Sequence, residues 1–506
     1  MKQMRAIGYH VQRGARTAAR LLAFAASFAV LYAARGDTNR GQGISATAAQ
    51  SDFKIMNKIF AEAHATAFRQ TGTAEPPVLF DEKKKVSIRD FVLRVLEHYR
   101  GLHVDHTGLG FSPELIEELG LKTALFPFPL KFIEGRAFAD CEYLELRPGS
   151  EILQINGKPM LEILQKLEMA AGIKDPEGRW ADYRIGEGFS FIYYMANGAA
   201  SEWKIQYKSG NRQKEIVVNT AAAEPSPFVP RKSALKAQHS QPLFTMFNPS
   251  LKAAYLAINT FMPTGNQLDT IESWHNHLNL LHQESRAKGV ENLVIDLRTN
   301  RGGVMLFSAA AATWFITKPV GDRSRSSARS RILPYKQYAQ AINGMASTEA
   351  MLRDTENHLQ KSFADKMKDG YFETRATEAR FLELTPIEQA HAFKKIYILT
   401  GPATYSAAVN FARLVRLGNE NAVIVGEETG SPGDGHSAEI LLTYKLPASG
   451  LLFEIPLVKV AFAPLVAGQK PGRGLKPDIT VVETAADFVA GKDTGLNAVS
   501  DLMDKK

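Results

Sequence analysis

The chain has 506 residues, 45% hydrophobic and 23% charged, an ordinary globular composition with length for about two to four domains. Its formal charge of +8 is uneven: residues 1–40 carry seven bases (Lys2, Arg5, Arg13, Arg16, Arg20, Arg35, Arg40) and one acid (Asp37), which leaves the remainder near neutral. That distribution excludes the clustered basic patch of a nucleic-acid-binding body, and the lone cysteine, Cys141, excludes an internal disulfide.

The basic stretch to Arg20 is followed by LLAFAASFAVLYAA, residues 21–34. Fourteen apolar or small residues are short for a bilayer span and suit the apolar core of a secretory signal. Residues 1–50 are therefore expected to be a signal peptide and leader, with Ala-Thr-Ala at 46–48 as a cleavage context. An uncleaved anchor at 21–34 is the alternative, and the only membrane contact expected. The protein is expected outside the cytoplasm, periplasmic or extracellular.

Residues 51–119 predict a helical region: IMNKIFAEAHATAF and IRDFVLRVLEHY space apolar residues at helical intervals, with a loop at TGTAEPP. GLHVDHTGLGF interrupts them with glycines, and Ser112-Pro113 restarts a helix. Residues 121–222 predict a small β-rich module. In LRPGSEILQINGKPMLEILQKL a Pro-Gly turn, a short strand, an Asn-Gly turn and an amphipathic helix follow in order. WKIQYKSGNRQKEIVVN reads as a hairpin. A Pro/Ala/Ser-rich stretch marks a linker over 223–245.

Residues 246–490 alternate strand and helix. LKAAYLAINTF, NLVIDLR, KKIYILT and NAVIVGEE are strands; DTIESWHNHLNLLHQESRAKG, GGVMLFSAAAATWFIT and SAAVNFARLVRLG are helices. This order predicts an α/β layer with parallel pairing and right-handed crossovers. Residues 320–393, polar and expected to be largely helical, interrupt it as an insertion.

Three segments can carry chemistry. In TGPATYSAAVNF an apolar strand ends at Thr400 and Ser406 opens a helix. A hydroxyl there lies beside orphan N–H groups, and that of Ala407 can face an oxyanion. The segment is not G-x-S-x-G, so an α/β-hydrolase elbow is unsupported. In DLRTNRGGV two glycines open a helix, and Gly302 or Gly303 can supply a second donor. The rival phosphate loop lacks both glycine-rich signatures. In LHVDHTGLGF, His106 is the candidate base, in a glycine-rich loop. His98, His103 and His106 raise a zinc site, but no HExxH occurs and the acids are irregularly spaced. No metal and no cofactor are expected.

Taken together, these residues resemble the serine peptidase family of C-terminal processing (tail-specific) peptidases and the tricorn core protease. NLVIDLRTNRGG, IYILTGPATYSAAVNFARLV, NAVIVGEETGSPGDG and GRGLKPDITVV match that family's segments in order. LRPGSEILQINGKPM is similar to its PDZ-like signature, with Ser150 in place of the usual Asp. The resemblance implies an α/β fold: a crotonase-like (ClpP/crotonase-type) catalytic domain, a PDZ-like module and the N-terminal helical region. It implies Ser406 as nucleophile, with oxyanion donors at Gly302 and Ala407. Processing peptidases take a lysine base from the loop after the GE-x-T strand, yet no lysine occurs from Ile396 to Tyr444. VDHTGL instead fits the tricorn-like Ser/His branch at His106. For the acid that orients the histidine, Glu439, Glu428 and Asp105 are candidates.

The expected function is an exported serine endopeptidase or C-terminal-processing-like peptidase acting on peptide or protein substrates. An inactive peptide-binding protein on the same scaffold and a hydrolase of small esters are the alternatives.

Overall fold

The computed structural model describes residues 43–66, 80, 85–99, 106–120, 125–143, 145–170, 179–219, 229–230, 241–263, 268–376 and 382–504. The leader with 21–34, the loop 71–77, residues 101–105 with His103 and Asp105, and most of the linker 223–245 lie outside the described residues.

Helices α1 (Ala46–Ala63), α2 (Ile88–His98) and α3 (Pro113–Glu118) each start on a serine. Ser45, Ser87 and Ser112 accept from the N–H three residues on, at 3.2, 3.0 and 3.3 Å, satisfying donors the helix leaves open. The Ser45 cap means that Ala46–Ala48 form the first turn of α1, with Ala46 and Ala49 buried, rather than the tail of an extended leader. Strand β1 (Gly108–Gly110) lies between α2 and α3.

The module contains β2 (Leu130–Ile133), β3 (Arg136–Ala139), β4 (Glu151–Ile155), α4 (Met160–Ala170), α5 (Arg179–Asn197), β5 (Glu202–Ser209) and β6 (Arg212–Asn219). Its sheet runs β6-β5-β4-β3-β2, antiparallel throughout. Ser150 closes the Pro-Gly turn by accepting from Arg147 N–H at 3.3 Å. Helix α5 lies directly on β2: Ser190 Oγ donates to Phe126 O at 2.8 Å, and a Cβ at Gly186 would stand 3.2 Å from Leu130 O. Phe189, Ile163, Leu167, Trp203 and Tyr207 fill the core beneath.

The second half contains β7 (Leu243–Asn248), β8 (Ala253–Ile258), α6 (Ile271–Ala287), β9 (Asn292–Asp296), α7 (Met305–Ala312), β10 (Ala339–Ile342), α8 (Glu349–Ser362), β11 (Lys395–Thr400), α9 (Ala407–Gly418), β12 (Ala422–Gly426), β13 (Leu441–Lys445), β14 (Leu452–Pro456), β15 (Ile479–Thr480), α10 (Ala485–Ala490) and α11 (Thr494–Asp504). One sheet runs β7-β8-β9-β11-β12-β15; β7 is antiparallel to β8 and the rest are parallel. Its central strands β8, β9 and β11 are apolar on both faces because both are covered. Trp274, Leu278, Phe307, Phe411 and Leu414 from α6, α7 and α9 pack on one side. Val499 and Leu496 of α11 pack on the other, against Tyr255, Val294 and Leu399.

A second sheet runs from Met345–Ala346 through β10, β13 and β14 to β1. Phe53, Met56 and Phe60 of α1 and Phe91 and Val95 of α2 share a core with Leu442, Tyr444, Phe453 and Ile455 of this sheet. The N-terminal helical region is thus the back wall of β13, β14 and β1.

Residues 320–393 depart from expectation. Their described residues hold one α-helix, α8, and short strands at 320–322, 325–328, 339–342, 345–346, 372–373 and 382–384. Two of these pair with strands outside the segment, β10 with β13 and Arg325–Ala328 with Val458–Ala461. Isolated segments this short are too weak to form strands alone, so their pairing is invisible to local pattern.

Among the described residues no helix is long and apolar enough to cross a membrane.

Candidate active site

Parallel strands deliver their C-terminal loops to one edge, and the loops after β9 and β11 meet there. After β11, Gly401 N–H donates to Thr404 Oγ1 at 3.0 Å, and Thr404 Oγ1 donates to Leu297 O at 2.8 Å. Tyr405 N–H donates to Asn300 O at 2.9 Å. These bonds tie the turn to the β9 loop and bring the chain to Ser406, 6% exposed, with φ +52° and ψ −117°. A left-handed φ is costly for a serine and persists only where its surroundings enforce it.

The β9 loop enforces it from one side. Asn300 Nδ2 donates to Ile258 O, and Gly302 N–H donates to Asn300 Oδ1, both at 2.8 Å. Gly302 takes φ +100°, and a Cβ there would lie 2.8 Å from Ser406 Cβ and 3.0 Å from Ala407 N. Only glycine lets the two loops approach this closely.

The main-chain donors divide accordingly. The Gly302 N–H, expected as an oxyanion donor, is turned to Asn300. Gly302 O accepts from Phe261 N–H at 2.8 Å. The peptide is trans, so the Gly303 N–H on its far side points away from Phe261. At the start of α9, Ser406 N–H donates to Ser431 Oγ at 2.7 Å. Ala408 and Val409 N–H donate to Tyr405 O and Ser406 O at 3.0 Å. Gly303 and Ala407 thus keep N–H groups without a protein acceptor among the described residues.

His106 arrives from the second sheet, two residues before β1. Its φ is +56°, and its ring meets that of Tyr405 edge to face, centroids 5.5 Å apart. The imidazole therefore stands beside the residue that precedes Ser406. Its neighbour Thr107 is held by His64, whose Nε2 lies 2.7 Å from Thr107 Oγ1. His64 Nδ1 accepts from Thr66 N–H at 3.1 Å, so Nε2 carries the proton and donates. Burial depresses the His64 pKa to about 3, so it is neutral at ordinary pH.

Glu439 accepts from Ser326 Oγ at 2.8 Å, and Glu428 forms an ion pair with Arg473 at 2.9 Å. Asp105 lies outside the described residues. Glu454, on β14 directly opposite Gly108 of β1, is a carboxylate that interacts electrostatically with His106. Burial pushes Glu454 up; the Thr443 Oγ1 hydrogen bond, 3.1 Å, and the His106 charge oppose that rise. Glu454 was legible in principle as the single acid inside the apolar run LLFEIPL, since a charge in a buried strand needs a partner.

Two arginines clamp the site from further away. Arg298, which follows β9, forms ion pairs with buried Asp296 at 2.6 Å and with Asp493, just before α11, at 2.7 Å. Arg301, inside the Asn300–Gly303 loop, reaches the β-rich module: Nη2 donates to Tyr183 Oη at 2.8 Å and pairs with Glu187, both on α5. Among the described residues no group of three or more His, Cys, Asp or Glu side chains is placed to hold a metal ion.

A hydroxyl held in this way beside spare N–H groups, with an imidazole against the ring of the preceding residue, suits acyl transfer, the chemistry of serine hydrolases. Residues 252–481 match the sequence profile of peptidase family S41, a family of serine-type peptidases. Solved structures share the fold. Mature CPAF complexed with lactacystin aligns with TM-score 0.59 at 15% identity, covering 91% of this chain and 98% of that one. Mature CPAF alone aligns with TM-score 0.56 at 14% identity, covering 90% and 96%. No curated protein matches the sequence.

Proposed function

We propose that this protein is an exported serine endopeptidase or C-terminal-processing-like peptidase of the tricorn-like Ser/His type. His106 takes the Ser406 Oγ proton as Oγ attacks the peptide carbonyl. The Gly303 and Ala407 N–H groups receive the developing oxyanion. His106 then returns the proton to the leaving amine, and water hydrolyses the acyl-enzyme by the same steps. Glu454 is a positioning residue that holds the imidazole orientation and steadies its positive charge. The crotonase-like sheet supplies the strand-end loops, and the PDZ-like module supplies sheet edges to which an extended substrate adds as a strand. The basic, then apolar, residues 1–34 support export to the periplasm or exterior.

The observation that supports this reading is the edge-to-face contact of His106 with Tyr405, the residue that precedes the strained serine. The test is labelling by a fluorophosphonate probe. Wild type is expected to react, Ser406→Ala not at all, and His106→Ala at least about a hundredfold more slowly. Unchanged labelling of Ser406→Ala would overturn the reading.

A further inference from the structure

The loop after β12 is the one from which processing peptidases take a lysine, and here it has none. It nevertheless reaches the nucleophile. Ser431, 1% exposed, accepts from the Ser406 N–H at 2.7 Å. The loop is pressed against the serine turn: Gly430 N–H donates to Thr404 O at 3.0 Å, and a Cβ on Gly430 would fall 1.9 Å from Pro402 O. Behind Ser431, Thr429 Oγ1 donates to Ser431 O at 3.0 Å and accepts from Leu475 N–H at 2.7 Å.

We propose that Ser431 is a positioning residue for the hydrolytic reaction, its Oγ fixing the Ser406 main chain in the geometry that aims the nucleophile and leaves the Ala407 N–H for the oxyanion. This deepens the Ser/His reading above and rests on it. Ser406 stands at the N-cap of α9, where N–H groups have no intrahelical acceptor. Tyr405 O and Ser406 O take the N–H groups of Ala408 and Val409. Ser431 takes that of Ser406, which leaves Ala407's.

The Ser431 bond also selects the peptide orientation. With φ at +52°, Ser406 pays a conformational strain that relaxes if its N–H is released. A relaxed φ would swing both the Ser406 Oγ and the Ala407 N–H. The loop thus supplies the nucleophile with an acceptor in place of a base. Ser431 exchanges no proton with substrate.

The test compares wild type, Ser431→Ala and Ser431→Thr in the full chain, with Ser406→Ala as the blank. Three quantities are measured: kcat and KM on a peptide substrate, the fluorophosphonate labelling rate, and affinity for a peptide boronate, which adds to the serine, against the same peptide without the boronate. Ser431→Ala is expected to lower kcat and the labelling rate by about ten- to a hundredfold, with KM within about twofold. It should weaken the boronate, and not the plain peptide, by a similar factor. Ser431→Thr, which keeps the hydroxyl, is expected to recover most of the loss. Unchanged kcat in Ser431→Ala overturns the inference. So does a loss confined to the fraction of molecules that label, at an unaltered rate, or equal weakening of both peptides. A wild type that never labels overturns the Ser/His reading itself, and this inference with it.

Discussion

His64 makes the wall behind the candidate base acid-sensitive by a calculable amount. Its imidazole is buried and hydrogen-bonded on both nitrogens, and its pKa falls from 6.5 to about 3. The unfolded chain therefore binds more protons than the folded one between those values, and stability falls as pH drops below about 6.5. At pH 5 the unfolded imidazole is almost fully protonated while the folded one is neutral. This disfavours the fold by about 2 kcal/mol relative to pH 7. His64→Gln keeps an acceptor for Thr66 and a donor for Thr107 but does not titrate. Urea unfolding of both proteins, followed by circular dichroism at pH 7 and pH 5, isolates the difference, because other titrating groups are shared. The wild type should lose about 2 kcal/mol more than the variant between the two pH values. Equal losses would refute the assignment of a buried neutral imidazole there. Because Thr107 follows His106, the same acidification should slow probe labelling more in the wild type than in the variant.

Three other outcomes are expected. Glu454→Gln preserves shape and removes the charge beside His106, so kcat should fall by about a thousandfold or more, whereas Glu439→Gln should stay within about twofold of wild type; peptide hydrolysis measures both. Gly302→Ala puts a methyl 2.8 Å from Ser406 Cβ at φ +100°, which should abolish probe labelling and lower the melting temperature, with about 1–3 kcal/mol of backbone strain. Glu187→Gln breaks the grip of α5 on Arg301 and should lower kcat about fivefold at little-changed KM, which steady-state kinetics on a peptide substrate would show.

How much was legible follows the range of the interactions. The alternating strands and helices of 246–490 are written in local hydrophobic pattern, and the helix opening after Ser406 and the Gly302-Gly303 pair lie on the short loops between them. Those features need only their own neighbourhoods. The approach of Glu454 to the His106 loop needed a pairing across more than three hundred residues, Gly108 with Glu454, which no period in the sequence encodes.

The same holds for the division of the main-chain donors. Sequence shows two glycines, and only the fold shows that Asn300 occupies the N–H of the first while Phe261 turns the second away. Two strands of 320–393 are completed by partners outside the segment, an energy absent from any local window. Composition, element order and the setting of Ser406 at a helix start were thus determined by the chain itself. The position of Glu454, the clamps and the strained backbone were decided by tertiary contact, because each is a relation between segments that are distant in sequence and stable only together.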